Sequence, residues 1–350
     1  MKKERKKDLL GVMRVQSHSR ETEAMQAYIL SVLESIDGVS CKVIDGNIYA
    51  TKGESDVYPC IVSHTDTVHS LIPEDAYRVL ESHGKMYAID GRDASRTGIG
   101  GDDKVGIFVG IRAMKELDVC KAAFFRDEEI GCVGSSVADM SFFEDVGMAL
   151  QCDRKGYGGF TDKICGTQMF SKEFGEAISG ILGKYDRELV SGGLTDVYQL
   201  TKNKLDISMA NIECGYYKPH TSGEYIVVSE VYDTLDFVLD IVDECGDKRW
   251  DIDVREVASS YGFRGKGNKG RNSYWDDYSS GNNYSSNNYN SESVKVKEMD
   301  SKLLSITCPD CAQYQLRYDE HADEAFCFCC FESFDCDELI NEKPKGGINV

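Results

Sequence analysis

Three short motifs in the first half of the chain carry the residue types that bind divalent metal ions. In chain order they are His64-Thr65-Asp66, Asp102-Asp103-Lys104 and Asp127-Glu128-Glu129. Imidazole nitrogens and carboxylate oxygens suit zinc, cobalt or manganese. A carboxylate can bridge two cations, and two cations about 3.5–4 Å apart can stabilise a hydrolytic transition state. The motifs therefore predict a dinuclear metal site for hydrolysis, with peptides as the expected substrates.

The predicted secondary structure brings these motifs together. Apolar runs predict strands at 57–63, 119–125 and 147–152, and helical spacing predicts a helix at 103–117. His64 follows the first strand, Glu128 and Glu129 follow the second, and Asp153 follows the third. Asp102 stands at the start of the helix, where the helix dipole favours a carboxylate. Because ligands bind beyond the carboxyl ends of the strands in an open α/β sheet, one pocket can collect all of these side chains.

The chemistry of each side chain suggests its role in such a site. His64 is expected to ligate one cation, while Asp66 accepts the other imidazole N–H and fixes the tautomer. Asp102 is expected to bridge the two cations, and Asp153 completes the shell of the first. His220 is the remaining candidate ligand.

The paired glutamates divide two tasks between them. One of Glu128 and Glu129 ligates a cation, and the other is free to act as a base. A water that bridges the cations, with its pKa lowered toward about 7, is the expected nucleophile. Glu128 is expected to take the proton of this water and to pass it to the leaving amine.

Charge and cysteine usage narrow the function classes. The net charge of −20 disfavours binding to nucleic acid or to an anionic membrane. No run of about 18 apolar residues is present, and the basic start does not have the form of a secretory signal. Of the 14 cysteines, six crowd into 308–336 and the rest are scattered, which predicts a reducing, cytoplasmic location rather than a disulfide framework.

Composition divides the chain into three expected parts. Residues 1–246 alternate strands and helices, which predicts a catalytic domain with an α/β three-layer sandwich around a central, mostly parallel sheet. In this part, residues 8–36 are expected to be an opening helical region that a polar patch at 17–21 interrupts. Residues 39–51 are expected to form a hairpin, and 85–89 and 204–210 are expected to form further strands. Residues 247–300 include a low-complexity stretch rich in Gly, Asn, Ser and Tyr that is expected to be a disordered linker. Its interleaved basic and aromatic residues are compatible with single-stranded nucleic acid, but a solubilising tether is the favoured interpretation.

The last part, residues 301–350, has the cysteine spacing of a small zinc ribbon. Cys308 and Cys311 form one Cys-x-x-Cys pair, and Cys327 and Cys330 form the second. Four thiolates suit one tetrahedral structural zinc ion, without which so small a unit cannot hold a core. This part carries four Lys or Arg and ten Asp or Glu, so we expect a structural role or a protein partner rather than nucleic acid. A cluster of buried or redox-prone thiols is the alternative.

Together the motifs resemble the signatures of a known enzyme family. His64–Val68, Gly98–Gly106 and Asp127–Gly131 are similar to motifs of the dinuclear-zinc exopeptidases related to peptidase T, carboxypeptidase G and the aminoacylases. The resemblance covers about residues 8–245. It implies the α/β sandwich of that family and metal-dependent hydrolysis of an amide bond.

The resemblance also implies a role for each site residue. The implied ligands are His64, Asp102 and Asp153 for one metal ion and Asp102, Glu129 and His220 for the other. Glu128 is implied as the general base, and Asp66 as the group that orients His64. The family often has a cis peptide bond after the bridging carboxylate, which here lies between Asp102 and Asp103.

The chain departs from the family pattern between Asp153 and His220. Family members usually carry a dimerisation or lid domain there, but this span has room only for the catalytic fold itself. The layout is then similar to that of the lidless zinc aminopeptidases of the same clan.

Two weaker assignments concern residues outside the main motifs. A glycine-rich turn that ends in Thr195 and Asp196 resembles a substrate-side loop of the family, which makes these two residues expected substrate contacts. His69 and His83 are interpreted as polar surface residues without a role in the site.

The expected function is an exopeptidase, either an aminopeptidase or a di- or tripeptidase, that acts on short peptides. An N-acyl amino acid deacylase or amidase would use the same mechanism on an N-acyl amino acid. A non-catalytic binding protein that retains the metal site is the alternative from another class. The expected cofactors are two Zn²⁺ ions, or Co²⁺ or Mn²⁺, in the catalytic site and one structural Zn²⁺ in the ribbon.

Overall fold

The computed structural model describes residues 2–252, 316–319, 324–327 and 333–336. The chain divides into two compact units, Met1–Ala258 and Ser259–Val350. Most of the linker predicted at 247–300 lies outside the described residues.

Seven α-helices and one short 3₁₀-helix occur among the described residues of the first unit. They are α1 (Lys2–Met13), α2 (Glu23–Leu33), α3 (Gly101–Glu116), α4 (Val133–Ser136), α5 (Lys172–Lys184), α6 (Asp196–Lys202), α7 (Val228–Cys245) and the 3₁₀-helix Met140–Phe143. Ser171 caps α5, because its side chain accepts a hydrogen bond from the backbone N–H of Phe174 at 3.2 Å. The break between α1 and α2 confirms the predicted interruption of the opening helical region.

The described part of this unit also contains fourteen strands. They are β1 (Val39–Ile44), β2 (Asn47–Lys52), β3 (Tyr58–His64), β4 (Tyr77–Ser82), β5 (Lys85–Asp90), β6 (Arg96–Thr97), β7 (Cys120–Phe125), β8 (Val146–Arg154), β9 (Tyr157–Ile164), β10 (Thr167–Gln168), β11 (Glu188–Gly192), β12 (Ser208–Cys214), β13 (Tyr216–Tyr217) and β14 (Tyr225–Val227). The predicted hairpin is present as β1 and β2, which pair antiparallel.

Nine of these strands form the central sheet. Their order is β1-β2-β7-β3-β8-β12-β9-β10, with β11 paired to β9. The strands β7, β3, β8 and β12 at its centre are parallel to their neighbours within this group. Every residue of β3 and β7 is buried, which explains why both strands read as continuous apolar runs in the sequence. The predicted α/β fold with a central, mostly parallel sheet is confirmed.

Helices cover the central sheet in two groups. In the first group, α3 lies against β3, β7 and β8 and also contacts α1, α2 and α7, while α5 packs on α7. In the second group, α4 contacts β7, α6 contacts β3 and β8, and the two helices contact each other. Buried side chains such as Phe108 of α3 and Phe124 of β7 fill the space between sheet and helices. The sheet and the helices that pack on it or on one another thus share one apolar core.

A second sheet of five strands is entirely antiparallel. Its order is β13-β14-β5-β4, with β6 paired to β5. The sequence analysis predicted only β5 of these strands. The loop at 218–224 connects β13 to β14 and carries His220, so this sheet supplies one of the predicted ligands.

The span between Asp153 and His220 belongs to the same unit as the rest of the fold. It forms five strands and two helices, of which β9, β11 and β12 extend the central sheet. One boundary in this span differs from prediction, because the strand expected at 204–210 begins only at Ser208. The backbone turns at Lys204, where φ is +71°, before it enters the sheet.

Two further findings concern the described residues. None of their helices has the length and apolar character needed to cross a membrane. Their cysteines whose side chains are described are free thiols.

The second unit contains a small antiparallel sheet. Its strands are β15 (Leu316–Asp319), β16 (Glu324–Cys327) and β17 (Ser333–Asp335), with β16 in the middle. The predicted ribbon ligands Cys308, Cys311 and Cys330, and the side chain of Cys327, lie outside the described part of the chain.

Candidate metal centre

The carboxyl ends of the central parallel strands carry the site. β3 ends at His64, directly beside Phe125 at the end of β7. On its other side β3 pairs with β8, which carries Asp153 near its end. Glu128 and Glu129 lie in the loop that follows β7. Parallel pairing therefore brings residues that are far apart in the sequence to one edge of the sheet.

His64 has contacts at both ring nitrogens, and its side chain is 0% exposed. Nδ1 lies 3.0 Å from the backbone oxygen of Asp66 and 3.3 Å from its carboxylate Oδ1. Nε2 lies 3.2 Å from Oδ1 of Asp102 and 3.5 Å from Oδ1 of Asp153. The contacts at Nδ1 orient the ring, so that Nε2 faces the two carboxylates.

Asp102 faces two imidazoles with its two carboxylate oxygens. Oδ1 lies 3.2 Å from Nε2 of His64, and Oδ2 lies 3.3 Å from Nε2 of His220. The backbone of Asp102 is not helical, with φ −80° and ψ 102°, although it stands in the first turn of α3. The peptide bond between Asp102 and Asp103 is cis, as the family resemblance implies. One carboxylate with an oxygen toward each imidazole has the arrangement of a bridging ligand.

Glu129 and His220 complete a second group of donors around Asp102. Nε2 of His220 lies 3.1 Å from Oε2 of Glu129. The other oxygen, Oε1, is buried and has no hydrogen-bond partner. Because a buried carboxylate oxygen without a partner is costly, this atom is available to a cation.

The donor set fits two divalent cations. The ligand atoms of His64, Asp102 and Asp153 lie within 4.8 Å of one another, and so do those of Asp102, Glu129 and His220. Within the described part of the chain, the ion pairs of these carboxylates are with the two histidines and not with lysine or arginine. Nitrogen and oxygen donors of this kind suit zinc, cobalt and manganese.

The carboxylates stabilise positive charge at both imidazoles. Burial disfavours the charged form of His64, but hydrogen bonds to Asp102 and Asp153 raise its pKa well above the ordinary value. Burial also opposes charge at His220, and contacts with Asp102 and Glu129 outweigh it and raise its pKa. Burial and repulsion by Asp102 raise the pKa of Asp153 to about 7. The site is therefore short of positive charge, which divalent cations supply.

Asp66 anchors the loop after β7 as well as the ring of His64. Its carboxylate accepts hydrogen bonds from the backbone N–H of Glu128 at 2.9 Å and from that of Glu129 at 3.3 Å. The hydroxyl of Ser19 donates to the same carboxylate at 2.7 Å. Burial opposes ionisation, but the contacts with His64 and Ser19 lower the pKa of Asp66. It therefore stays ionised and holds both parts of the site.

Glu128 lies among other negative groups. The thiol of Cys132 lies 3.4 Å from its Oε1 and donates a weak hydrogen bond. Burial raises the pKa of Glu128 well above the ordinary value, and repulsion from Asp153 and Asp196 adds to this. A carboxylate with a raised pKa is suited to accept and return a proton near neutral pH.

Glu224, which the sequence analysis did not assign, holds the turn before α3. Its carboxylate accepts hydrogen bonds from the backbone N–H of Gly100 at 2.7 Å and from that of Asp102 at 3.2 Å. Nε2 of His69 lies 2.7 Å from the same carboxylate. Gly100 has φ +70°, a conformation that favours glycine. The fully buried Glu224 thus positions the backbone of Asp102.

His69 is partly buried, with 15% of its side chain exposed, and it contacts Glu224, which the interpretation as a surface residue did not include. His83 is exposed as expected. The ring of His69 occupies the place that a side chain at Gly98 would need. A lone histidine has no periodic pattern around it, so the sequence offered no signal for this contact. The one hint for Glu224 was its place in the segment that also carries His220.

Thr195 and Asp196 lie inside the protein, with 2% and 0% of their surface exposed. The hydroxyl of Thr195 lies 3.0 Å from Oδ2 of Asp153 and 2.9 Å from Oε1 of Gln151. Nε2 of Gln151 donates to the same Asp153 oxygen at 3.1 Å. These contacts orient Asp153, while substrate binding by Thr195 and Asp196 stays a prediction.

No family model and no curated protein sequence matches the chain. Solved structures do match. Aminopeptidase PepT from Bacillus cereus is 15% identical, with a TM-score of 0.58, over 70% of this chain and 99% of that chain. A tripeptidase from Staphylococcus aureus is 13% identical, with a TM-score of 0.55, over 74% of this chain and 99% of that chain.

The structure of an archaeal aminopeptidase is also similar to that of this chain. The aminopeptidase from Desulfurococcus kamchatkensis is 15% identical, with a TM-score of 0.52, over 75% of this chain and 99% of that chain. At such identities the similarity shows a common fold.

Proposed function

We propose that this chain is a metal-dependent exopeptidase that removes single residues from short peptides. The observation that carries the proposal is the carboxylate of Asp102, with one oxygen toward His64 and the other toward His220. The fold shared with solved aminopeptidases and a tripeptidase supports it. Zinc, cobalt and manganese are all compatible with these nitrogen and oxygen donors.

The ligands divide into two groups that share Asp102. His64, Asp102 and Asp153 would hold one ion, and Asp102, Glu129 and His220 would hold the other. When bound, such ions polarise the scissile carbonyl and lower the pKa of water. The protein contributes the orientation of these donors and the groups that move protons.

Glu128 is the proton carrier in this proposal. Its raised pKa allows its carboxylate to take a proton from the attacking water and to return it to the leaving amine. Asp66 fixes the backbone N–H groups of Glu128 and Glu129, so the carrier keeps a set position relative to the ligands. This arrangement needs no covalent intermediate with the protein.

Replacement of Glu128 by glutamine tests the proposal. Because the amide cannot accept the proton, we expect kcat to fall about 10²- to 10⁴-fold, while the metal content measured by elemental analysis stays at the wild-type value. The control is the same change at Glu54, which is exposed. Retained turnover in Glu128→Gln would exclude it as the base.

A substrate panel separates the proposal from its alternatives. Wild-type protein loaded with zinc, cobalt or manganese is offered dipeptides, tripeptides and N-acyl amino acids. Release of single amino acids from peptides supports the exopeptidase, and selective hydrolysis of N-acyl amino acids indicates the deacylase instead. No turnover of any substrate with any metal would favour a binding protein that only retains the site.

The predictions for the rest of the chain are proposed with it. They are a catalytic domain at 1–246, a linker at 247–300 and a ribbon at 301–350 that holds a structural zinc ion in a reducing, cytoplasmic setting. The Cys-x-x-Cys spacing supports the ribbon. We expect Cys308→Ser to remove one zinc ion per chain and to leave peptide hydrolysis by the catalytic domain in place.

A further inference from the structure

A basic cleft lies on the five-stranded sheet, outside the metal centre. Its volume is about 580 Å³. The side chains that define it are His83, Lys85, Tyr87, Arg96, Lys218 and Tyr225. No aspartate or glutamate lines it. This is unusual in a chain whose net charge is −20, because acidic groups are abundant enough to pair with most cations.

Aromatic rings hold the cations of the cleft in place without neutralising them. Nζ of Lys85 lies 4.5 Å from the centre of the Tyr225 ring on the neighbouring strand. The guanidinium carbon of Arg96 lies 4.2 Å from the centre of the Tyr87 ring. Such contacts orient a cation but leave its charge intact. Within the described part of the chain, neither cation has an ion pair with a carboxylate.

The loop at 218–224 contributes residues both to the cleft and to the candidate metal centre. Lys218 and Gly223 line the cleft, while His220 from the same loop faces Asp102. Arg96 donates hydrogen bonds to the backbone oxygens of Gly223 at 3.3 Å and of the next residue at 3.0 Å. An anion in the cleft would thus contact the same loop that carries a candidate metal ligand.

We propose that the basic cleft binds a carboxylate of the peptide substrate, away from the bond that is cleaved. The cations supply N–H donors for the carboxylate oxygens, and the tyrosine rings supply apolar surface for the adjoining part of the peptide. Elsewhere the acidic surface repels anionic peptides, so the cleft gives them a favourable local potential. This inference rests on the proposed function, since it assigns a substrate class to the same site.

A direct binding measurement tests the cleft without requiring turnover. Isothermal titration calorimetry uses full-length, zinc-loaded Glu128→Gln protein and the peptide Ala-Ala-Glu. We expect the charge reversal Lys85→Glu in this background to raise Kd about tenfold, because it replaces an attractive charge by a repulsive one. Lys42→Glu is the matched control, since Lys42 is an exposed lysine on the edge strand β1. Lys85→Gln, with a smaller expected increase, replaces the charge reversal if that variant does not fold.

Kinetics of the active protein give the second readout. We expect Lys85→Glu to lower the preference for Ala-Ala-Glu over Ala-Ala-Gln-amide, in kcat/KM, about tenfold more than Lys42→Glu does. Separate amidation of the terminus and replacement of Glu by Gln identify which carboxylate is bound, and sensitivity to either one supports the proposal.

Three results would overturn the cleft or separate it from the proposed function. Equal Kd values for the Lys85→Glu and Lys42→Glu proteins overturn the cleft. If inorganic phosphate binds in a Lys85-dependent manner while the peptide preference is unchanged, the cleft does not bind a carboxylate of the peptide. It is then a site for a free anion. Binding of Ala-Ala-Glu that depends on Lys85, without hydrolysis of any peptide by the wild type, supports the cleft and rejects the exopeptidase.

Discussion

The two donor groups that share Asp102 are built in different ways. His64 ends a fully buried central strand, and its side chain is 0% exposed with contacts at both ring nitrogens. His220 lies in a loop of the second sheet, with φ +60°, and its side chain is 29% exposed. The group at His64 is therefore preorganised, whereas the group at His220 can adjust. We expect the ion at His64 to bind more tightly and the ion at His220 to be the one that meets substrate.

Asp102→Asn would disturb both donor groups and has the largest expected effect. Mutation of a residue that only hydrogen-bonds to a metal ligand costs about 10- to 100-fold in metal affinity or activity. Loss of the shared ligand itself should therefore lower peptide hydrolysis by at least about 10³-fold. Elemental analysis should show that both catalytic ions are depleted. Depletion of only one ion would contradict a bridging role for Asp102.

A matched pair of alanine variants compares the two groups directly. His64→Ala leaves buried carboxylates without their imidazole, so we expect the free energy of unfolding to fall by about 3 kcal/mol. His220→Ala removes a partly exposed loop side chain and should change it by less than about 1 kcal/mol. Chemical denaturation measures both. Each variant should lose at least one metal ion, and equal destabilisation would contradict the difference in preorganisation.

Glu224→Gln tests whether the hydrogen bonds of Glu224 position the backbone of Asp102. The amide group would place an N–H beside the backbone N–H of Gly100 or Asp102, so the turn before α3 should loosen. We expect metal affinity to fall about 10- to 100-fold, with a smaller loss of stability. Glu230→Gln is the control, because Glu230 accepts a hydrogen bond from Tyr217 and is not part of the centre. Metal affinity equal to that of the control would limit Glu224 to a packing role.

Cys132→Ala has the smallest expected effect. The thiol donates only a weak hydrogen bond to Glu128, so we expect kcat to change about two- to fivefold, in keeping with the modest net energy of such a bond. Both metal ions should stay bound, because Cys132 contacts neither donor group. Cys165→Ala, at an exposed cysteine, is the control. A loss of either ion would show that Cys132 supports the ligands rather than the base.

The difference between the buried central sheet and the second sheet also explains which elements the sequence could predict. The strands β3, β7 and β8 are buried on both faces, so their continuous apolar runs could be recognised in the sequence, together with the candidate ligands at or just after their ends. The strands β13 and β14 have only two and three residues, and most of β4 is exposed. Their pairing is decided by tertiary contacts that leave no periodic pattern. The second sheet was therefore missed, although the sequence analysis had named His220, in its loop, as a candidate ligand.

Sequence patterns could not predict the contacts of single buried polar residues. Glu224, His69 and Ser19 act through contacts with residues that are distant along the chain, and no local spacing signals such a contact. The polar segment around Ser19 was interpreted only as a break between helices. Its hydrogen bond to Asp66 shows that this break also contributes to the candidate metal centre.

The carboxylate of Asp66 has a consequence for how variants of this protein combine. It contacts the ring of His64, the hydroxyl of Ser19 and the backbone of Glu128 at once. Substitutions at these residues are therefore expected to be non-additive. Once one substitution has disrupted the contacts of Asp66, a second one in the same network should cause a smaller additional loss. For the same reason we expect a substitution at Ser19 to disturb this carboxylate, although Ser19 lies outside the three motifs that carry the candidate ligands.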